Sequence, residues 1–210
     1  WMIKHHWDKL DPEWVWDEGG IGSTDSFPGM SAFAVAVAQK KSFWVDIQVN
    51  GKSGHGSRPF KGYTNEVLAN ALSKIVSWEA PIEINPVISE MFYRMGVSIG
   101  GIQGFIMKNI DNGFIQYIAG NTIASTSTSS NAMLRNTISL TMIDSGYKTN
   151  IIPEIATATL DIRLLPDINP DEFLSTLSSV VGDERVQFIP RRTPINDFIS
   201  NWDTDFFQIL

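Results

Sequence analysis

Phe43-Trp44-Val45-Asp46-Ile47-Gln48-Val49-Asn50-Gly51 alternates without a fault. Phe43, Val45, Ile47 and Val49 fall on one face, and Trp44, Asp46 and Gln48 on the other, which is the period-two pattern of a half-buried strand. Asn50-Gly51 then ends it with a strong turn signal. A second stretch repeats the pattern over residues 156–164. Ala156, Ala158, Leu160, Ile162 and Leu164 oppose Thr157, Thr159, Asp161 and Arg163.

Working outward, Val67, Leu68, Ala71, Leu72, Ile75 and Val76 make one apolar stripe at helical spacing, with Thr64 or Asn65 as the expected N-cap and Pro81 as the stop. Asn169-Pro170-Asp171-Glu172 is a capped helix start, and Phe173, Leu174, Leu177 and Val180 supply its buried face. Val186 and Phe188 mark a short last strand. Ala132, Leu134, Ile138, Leu140 and Met142 read as one face of another strand, with Arg135 a surface charge on the face opposite Leu134. The order strand, helix, strand, strand, helix, strand is the split βαβ pattern of an α+β, ferredoxin-like sandwich: a four-stranded antiparallel sheet with two helices on one face. Residues 80–131 form an insertion, with short helices expected at 88–95 and 102–110 and a polar connection over the Ser/Thr/Asn run 121–131. Residues 1–16 read as a short amphipathic helix and its exit, and Gly22–Gly29 as a loop. The expected division is a flank at 1–30, the sandwich at 31–195 and a return segment at 196–210.

Composition narrows the function classes. The chain has 210 residues, no Cys, 3 His and a formal net charge of −7. Without Cys there is no disulfide framework and no thiolate metal site. The acidic balance argues against a nucleic-acid partner, which would need clustered Lys and Arg. No apolar run reaches the roughly 20 residues that a membrane-spanning helix requires. The start at Trp1 and the apolar end at Leu210 lead us to expect an excised piece of a longer protein.

Few residues could carry chemistry. His55 sits between glycines in Gly51-Lys52-Ser53-Gly54-His55-Gly56-Ser57-Arg58-Pro59. It reads either as a solvated loop histidine or as a group that ligates metal or donates to a developing oxyanion. Asp17-Glu18-Gly19-Gly20 reads either as an acidic turn or as a weak cation site. His5 and His6 point about 100° apart on a helix and cannot chelate one ion together. Arg163 shares a face with Asp161, so it is either half of a structural pair or a fork for a substrate carboxylate. Asn150, in a turn, can satisfy its own backbone.

Together these segments resemble the di-zinc metallopeptidases and amidohydrolases that include aminoacylase, carboxypeptidase S, carboxypeptidase G and succinyl-diaminopimelate desuccinylase. Asp17-Glu18-Gly19-Gly20 resembles the family's last block before its inserted domain. Gly51 to Pro59 resembles its Gly-x-x-Gly-His-x-Ser-x-Pro loop. Asn150-Ile151-Ile152-Pro153, with the strand to Arg163, resembles its Asn-x-Ile-Pro block and downstream Arg. The insertion looks most like the carboxypeptidase S and N-fatty-acyl-amino-acid hydrolase branch. The resemblance implies a lid, also the homodimerisation domain, set inside a catalytic domain that hydrolyses an amide next to a free carboxylate in a peptide or N-acyl amino acid. It implies that Glu18 is a zinc ligand. His55 reaches towards an active site, typically the partner's, and polarises the scissile carbonyl. Asn150 and Arg163 bind the substrate. The parent would hold two zinc ions, while this chain lacks the family's other metal ligands and its general base. It is therefore expected to bind no zinc and to be inactive alone. The alternative is a free-standing ferredoxin-like module for dimerisation or small-ligand binding, since fold does not fix function.

Overall fold

Alternation at 43–49 becomes one of the two central strands of a sheet. The computed structural model describes all residues except 12, 14, 16–19, 28–29, 193–198 and 210. The chain divides into two units, one comprising Trp1–Ala38 with Ile199–Leu210 and the other Gln39–Phe198.

In the first unit the expected N-terminal helix is two single turns, α1 (Met2–His5) and α2 (Trp7–Leu10), separated by His6 at φ −141°. The Trp1 ring lies 4.6 Å from that of His6, tilted by 53°. The glycine-rich stretch expected to be a loop is instead β1 (Gly20–Phe27), paired antiparallel with β2 (Met30–Val35) from Gly20↔Val35 to Phe27↔Met30. Its Ser and Thr residues lack an apolar alternation, so the ladder left no trace that periodicity could detect. The chain returns through a bridge of Ile199 to Ala38 and a bond from Ser200 N to Val37 O of 2.8 Å.

The second unit runs β3 (Lys41–Asn50), β4 (Gly54–His55), α3 (Thr64–Ser77), α4 (Pro86–Ile99), α5 (Gly101–Lys108), α6 (Gly113–Ala124), α7 (Thr128–Leu134), β5 (Thr137–Ser145), β6 (Ile151–Ile152), β7 (Ile155–Leu164), α8 (Pro170–Val181) and β8 (Val186–Pro190). Its main sheet has the spatial order β5-β7-β3-β8, antiparallel throughout. Strands β3 and β5 are thus parallel with β7 inserted between them, and β7 and β8 are parallel with β3 between them. This is the split βαβ sandwich. Helices α3 and α8 cover one face, joining Val67, Leu68, Ala71, Ile75, Phe173 and Leu177 to the inward residues of β3 and β7.

Local chemistry sets the helix ends. Asn169 caps α8 as expected, accepting from Asp171 N at 2.9 Å and Glu172 N at 3.3 Å, and Gly182 closes it at φ 59°. Neither Thr64 nor Asn65 caps α3. Thr64 lies inside the first turn and donates from Oγ1 to Pro153 O at 2.7 Å, while Glu66 accepts from Gly62 N at 2.8 Å.

Between the first helix and the second long strand the chain is more helical than expected. Residues 121–131 are largely helix, because Ser127 caps α7 by accepting from Ser130 N at 2.9 Å. Leu134 therefore belongs to a helix and not to the strand, which begins at Thr137. A register shift between Leu140 and Met142 moves Met142 opposite Thr159, off the face that holds Leu140. Ile88, Phe92, Ile110, Ala124 and Leu134 form a second core of this insertion. Helices α4 and α5 meet at Gly96 and Gly104, where an added Cβ on Gly96 would lie 2.6 Å from Gly104 O. Only glycine fits that crossing.

Arg135 is not a surface charge. It is 8% exposed and donates to Ala80 O at 2.8 Å and Asn121 Oδ1 at 2.6 Å. Nearby, Lys40 Nζ donates to Ala132 O, Arg135 O and Thr137 Oγ1 at 3.0, 2.7 and 3.1 Å. Burial first, and then the charge of Arg163, lower its pKa from 10.5 to about 8.

Truncating Leu160, which is fully buried between the two helices and the sheet, is expected to cost about 2–5 kcal/mol by the usual transfer and cavity terms. Urea denaturation of Leu160→Ala measures it. Lys40 gives a pH signature. The folded chain releases its proton near pH 8 while the unfolded chain holds it to about 10.5, so the unfolded state binds more protons between those values. Stability of the wild type relative to Lys40→Met should therefore rise from pH 8 to pH 10. Denaturant midpoints at constant ionic strength check the sign.

Candidate functional site

The loop after β3 is tied down at nearly every residue. Gly51 N donates to Glu154 O at 2.8 Å, and Ser53 Oγ to Ile152 O at 3.0 Å. Strand β4 pairs with β6 in the register Gly54↔Ile152 and His55↔Ile151. Gly56 N then donates to Asn150 O at 2.8 Å. A Cβ on Gly54 would come within 2.9 Å of the Phe60 ring, so that glycine lets the ring pack against the backbone. His55 and Asn150, ninety-five positions apart, are thereby neighbours at one end of the sandwich.

His55 is exposed, and its ring is oriented by its own turn. Arg58 N donates to His55 O at 2.9 Å, closing the turn. Inside it Ser57 N donates to His55 Nδ1 at 3.2 Å, and Ser57 Oγ lies 2.8 Å from the same atom.

Arg163 lies elsewhere. It pairs with Ser42 across the ladder, near the start of β3, whereas Ile155 pairs with Asn50 at its end. From Ile155 to Arg163 is eight strand steps, about 27 Å at roughly 3.4 Å each. One chain therefore does not bring Arg163 to His55 and Asn150. Its guanidinium makes a forked pair with Asp161, Nε to Oδ1 at 2.8 Å and Nη2 to Oδ2 at 3.0 Å, and Nη1 also donates to Ser42 Oγ. The structural pair read from the sequence is present. The arginine side chain is still 43% exposed, so N–H groups that Asp161 and Ser42 do not take can reach an anion.

Sequence reading passed over two other groups. On the open face of the sheet Arg191 Nε donates to both carboxylate oxygens of Asp46 at 2.9 Å, and its Nη2 to Thr159 Oγ1 at 3.0 Å. The Arg191 bond, above all, holds the Asp46 pKa below its ordinary value. Ser57 was visible within the Gly51–Pro59 block, but nothing in its spacing marked it as a partner of the imidazole.

Glu18 lies outside the described residues. Among the described residues no group of three or more His, Asp or Glu side chains is placed to hold a metal ion, and no step below passes through one. No helix among the described residues is long and apolar enough to cross a membrane.

Residues 37–188 match the peptidase dimerisation domain of M20 peptidases. The chain belongs to that family. It is 29% identical over 178 residues to the human N-fatty-acyl-amino acid synthase/hydrolase PM20D1, covering 82% of this chain and 34% of that protein. The Xenopus tropicalis PM20D1 is 31% identical over 154 residues, covering 73% and 30%. The probable carboxypeptidase S-like 2 of Dictyostelium discoideum is 28% identical over 181 residues, covering 83% and 34%. The chain thus spans about a third of the length of these relatives. Among solved structures, the M20 family metallo-carboxypeptidase Sso-CP2 of Sulfolobus solfataricus aligns with a TM-score of 0.47 at 14% identity, covering 82% of this chain and 47% of that one.

If the Asp161 pair only positions Arg163 at an exposed edge, breaking it costs little. Asp161→Asn is expected to change stability by less than about 1 kcal/mol, as for other exposed pairs. Thermal unfolding beside the wild type measures the difference.

Proposed function

We propose that this M20 dimerisation domain serves as the lid of a homodimeric enzyme that hydrolyses an amide bond next to a free carboxylate, in a peptide or an N-acyl amino acid, and that it supplies residues to two active sites at once. The observation that carries this reading is the separation of His55 and Asn150 from Arg163 along β7. A small amide substrate is far shorter than about 27 Å, eight strand steps. It could meet all three side chains only if His55 and Asn150 come from one subunit and Arg163 from the other.

In that arrangement Arg163 receives the substrate carboxylate on the N–H groups that Asp161 and Ser42 do not take. His55 donates to the scissile carbonyl oxygen, where negative charge grows as the carbon becomes tetrahedral, and Asn150 offers an amide donor beside it. The catalytic machinery that attacks the carbonyl belongs to the rest of the parent protein. By family resemblance the complete protein would hold two zinc ions, with Glu18 of this chain as one ligand and the others supplied by the rest of the parent.

Strand β5 supports self-association. It is a long edge with Met142 and Ile143 exposed at 56% and 62%. The opposite edge, β8, is half as long and ends in Pro190, which has no N–H to offer a ladder.

Subunit complementation tests the reading. In the complete enzyme His55→Ala should lower kcat by about 10²- to 10³-fold, the usual loss of an oxyanion donor, and Arg163→Ala should raise KM. Dimers formed by mixing the two impaired variants one to one carry one intact composite site in each heterodimer, so about a quarter of wild-type activity should return at substrate concentrations where each variant alone is nearly silent. No recovery in verified heterodimers would refute a site shared between subunits.

A further inference from the structure

We propose that Ser57 is a positioning residue that fixes His55 as the neutral tautomer carrying its proton on Nε2, so that the ring presents a donor outward and never a lone pair. The inference rests on the reading of His55 as a donor to the substrate carbonyl, but its geometry stands apart from that reading.

Ser57 N lies 3.2 Å from His55 Nδ1 with donor geometry. A backbone N–H has no lone pair and can only donate, so Nδ1 must face it with its own lone pair. In a neutral imidazole the proton then sits on Nε2. Ser57 Oγ, 2.8 Å from the same nitrogen, can turn its hydrogen towards Nδ1 as a second donor. The opposite tautomer would set the Nδ1 hydrogen against the Ser57 N–H. Relieving that clash would require the ring to rotate or the turn to open. The turn resists opening because Arg58 N closes it on His55 O at 2.9 Å and Gly56 N anchors it to Asn150 O at 2.8 Å. Among the described residues no group hydrogen-bonds to Nε2, so the proton-bearing nitrogen stays available.

This solves a chemical problem for the proposed role. An exposed imidazole populates both tautomers, and only the Nε2–H form can stabilise negative charge on an oxygen approached through Nε2. Where a histidine depends on a partner for its tautomer, loss of that partner can reduce turnover by orders of magnitude while the fold stays intact. Here the partner is a residue of the same turn, so the donor is already aimed before any substrate arrives.

The test uses the 210-residue chain with ring-labelled ¹⁵N histidine. With only three His, its long-range ¹H–¹⁵N spectrum contains three ring systems, and His55→Ala identifies the relevant one. At a pH where the ring is neutral, wild-type His55 should show the Nε2–H pattern alone, with no detectable Nδ1–H population. Ser57→Pro, which removes the donating N–H, should shift it towards the mixed pattern of an unrestrained imidazole. Ser57→Ala, which keeps that N–H, should retain the single tautomer. A mixed or Nδ1–H pattern in the wild type, or a Ser57→Pro spectrum identical to it, would overturn the inference. In the complete enzyme Ser57→Pro should lower kcat with little change in KM, and Ser57→Ala should keep it. A fixed tautomer together with full activity of His55→Ala would instead remove the functional reading and leave the tautomer assignment intact.

Discussion

Everything in the larger unit hangs on the ladder between β3 and β7. It runs without a break from Lys41↔Leu164 to Asn50↔Ile155, and its inward positions on both strands are buried apolar side chains. Because side chains alternate, a slip of β3 by one residue would turn Phe43, Val45, Ile47 and Val49 outward and bring Trp44, Asp46 and Gln48 towards the core. That penalty locks the register. Helices α3 and α8 can then pack only on the face so defined, and the polar residues of both strands are left on the other.

The same ladder determines what the site residues can do. His55 follows β3 by a short tied loop, Asn150 precedes β7, and both strands are anchored where Asn50 meets Ile155. Arg163 sits where the ladder is fixed by Ser42. A rigid sheet of this length holds the two groups apart as firmly as it holds each in place. Under the proposed reading, cooperation on one small substrate would fall to an assembly of two chains and not to motion within one.

How much of this the sequence discloses follows from where periodicity was strong. The alternation at 43–49 and 156–164 and the α8 cap at Asn169 each carry one unambiguous local signal, and the sandwich follows from them. Strands β1 and β2 carried none, because Ser23, Thr24 and Ser26 break any apolar alternation in the first of the pair. Residues 121–134 misled for a different reason. Ser127 is a helix cap, which in composition looks the same as a polar connection, and Leu134 satisfies both a strand pattern and the insertion core it fills. Arg135 looked like a surface charge because nothing local shows that Ala80 O and Asn121 Oδ1, distant in sequence, would surround it. The Gly51–Pro59 and Asn150–Pro153 blocks were legible, and their adjacency is found in the β4–β6 pairing. The distance from them to Arg163 was implicit in the strand length.

That buried arginine also explains how an insertion with its own core can be fixed to the sandwich. The two apolar clusters are separate, so area alone would let the insertion pivot on its connections. The junction is made instead of directional bonds: Arg135 to Ala80 and Asn121, Lys40 to three acceptors around residues 132–137, and Asn136 Oδ1 accepting from Leu165 N at 2.7 Å. Buried polar groups are costly if they lose their partners, about 1–3 kcal/mol for each one left unsatisfied. A pivot of the insertion would strand several together. The junction therefore holds an angle through the penalty for leaving it, and Lys40 and Thr137, which help set that angle, lie beside Arg163 at the end of the sheet where the proposed carboxylate fork opens.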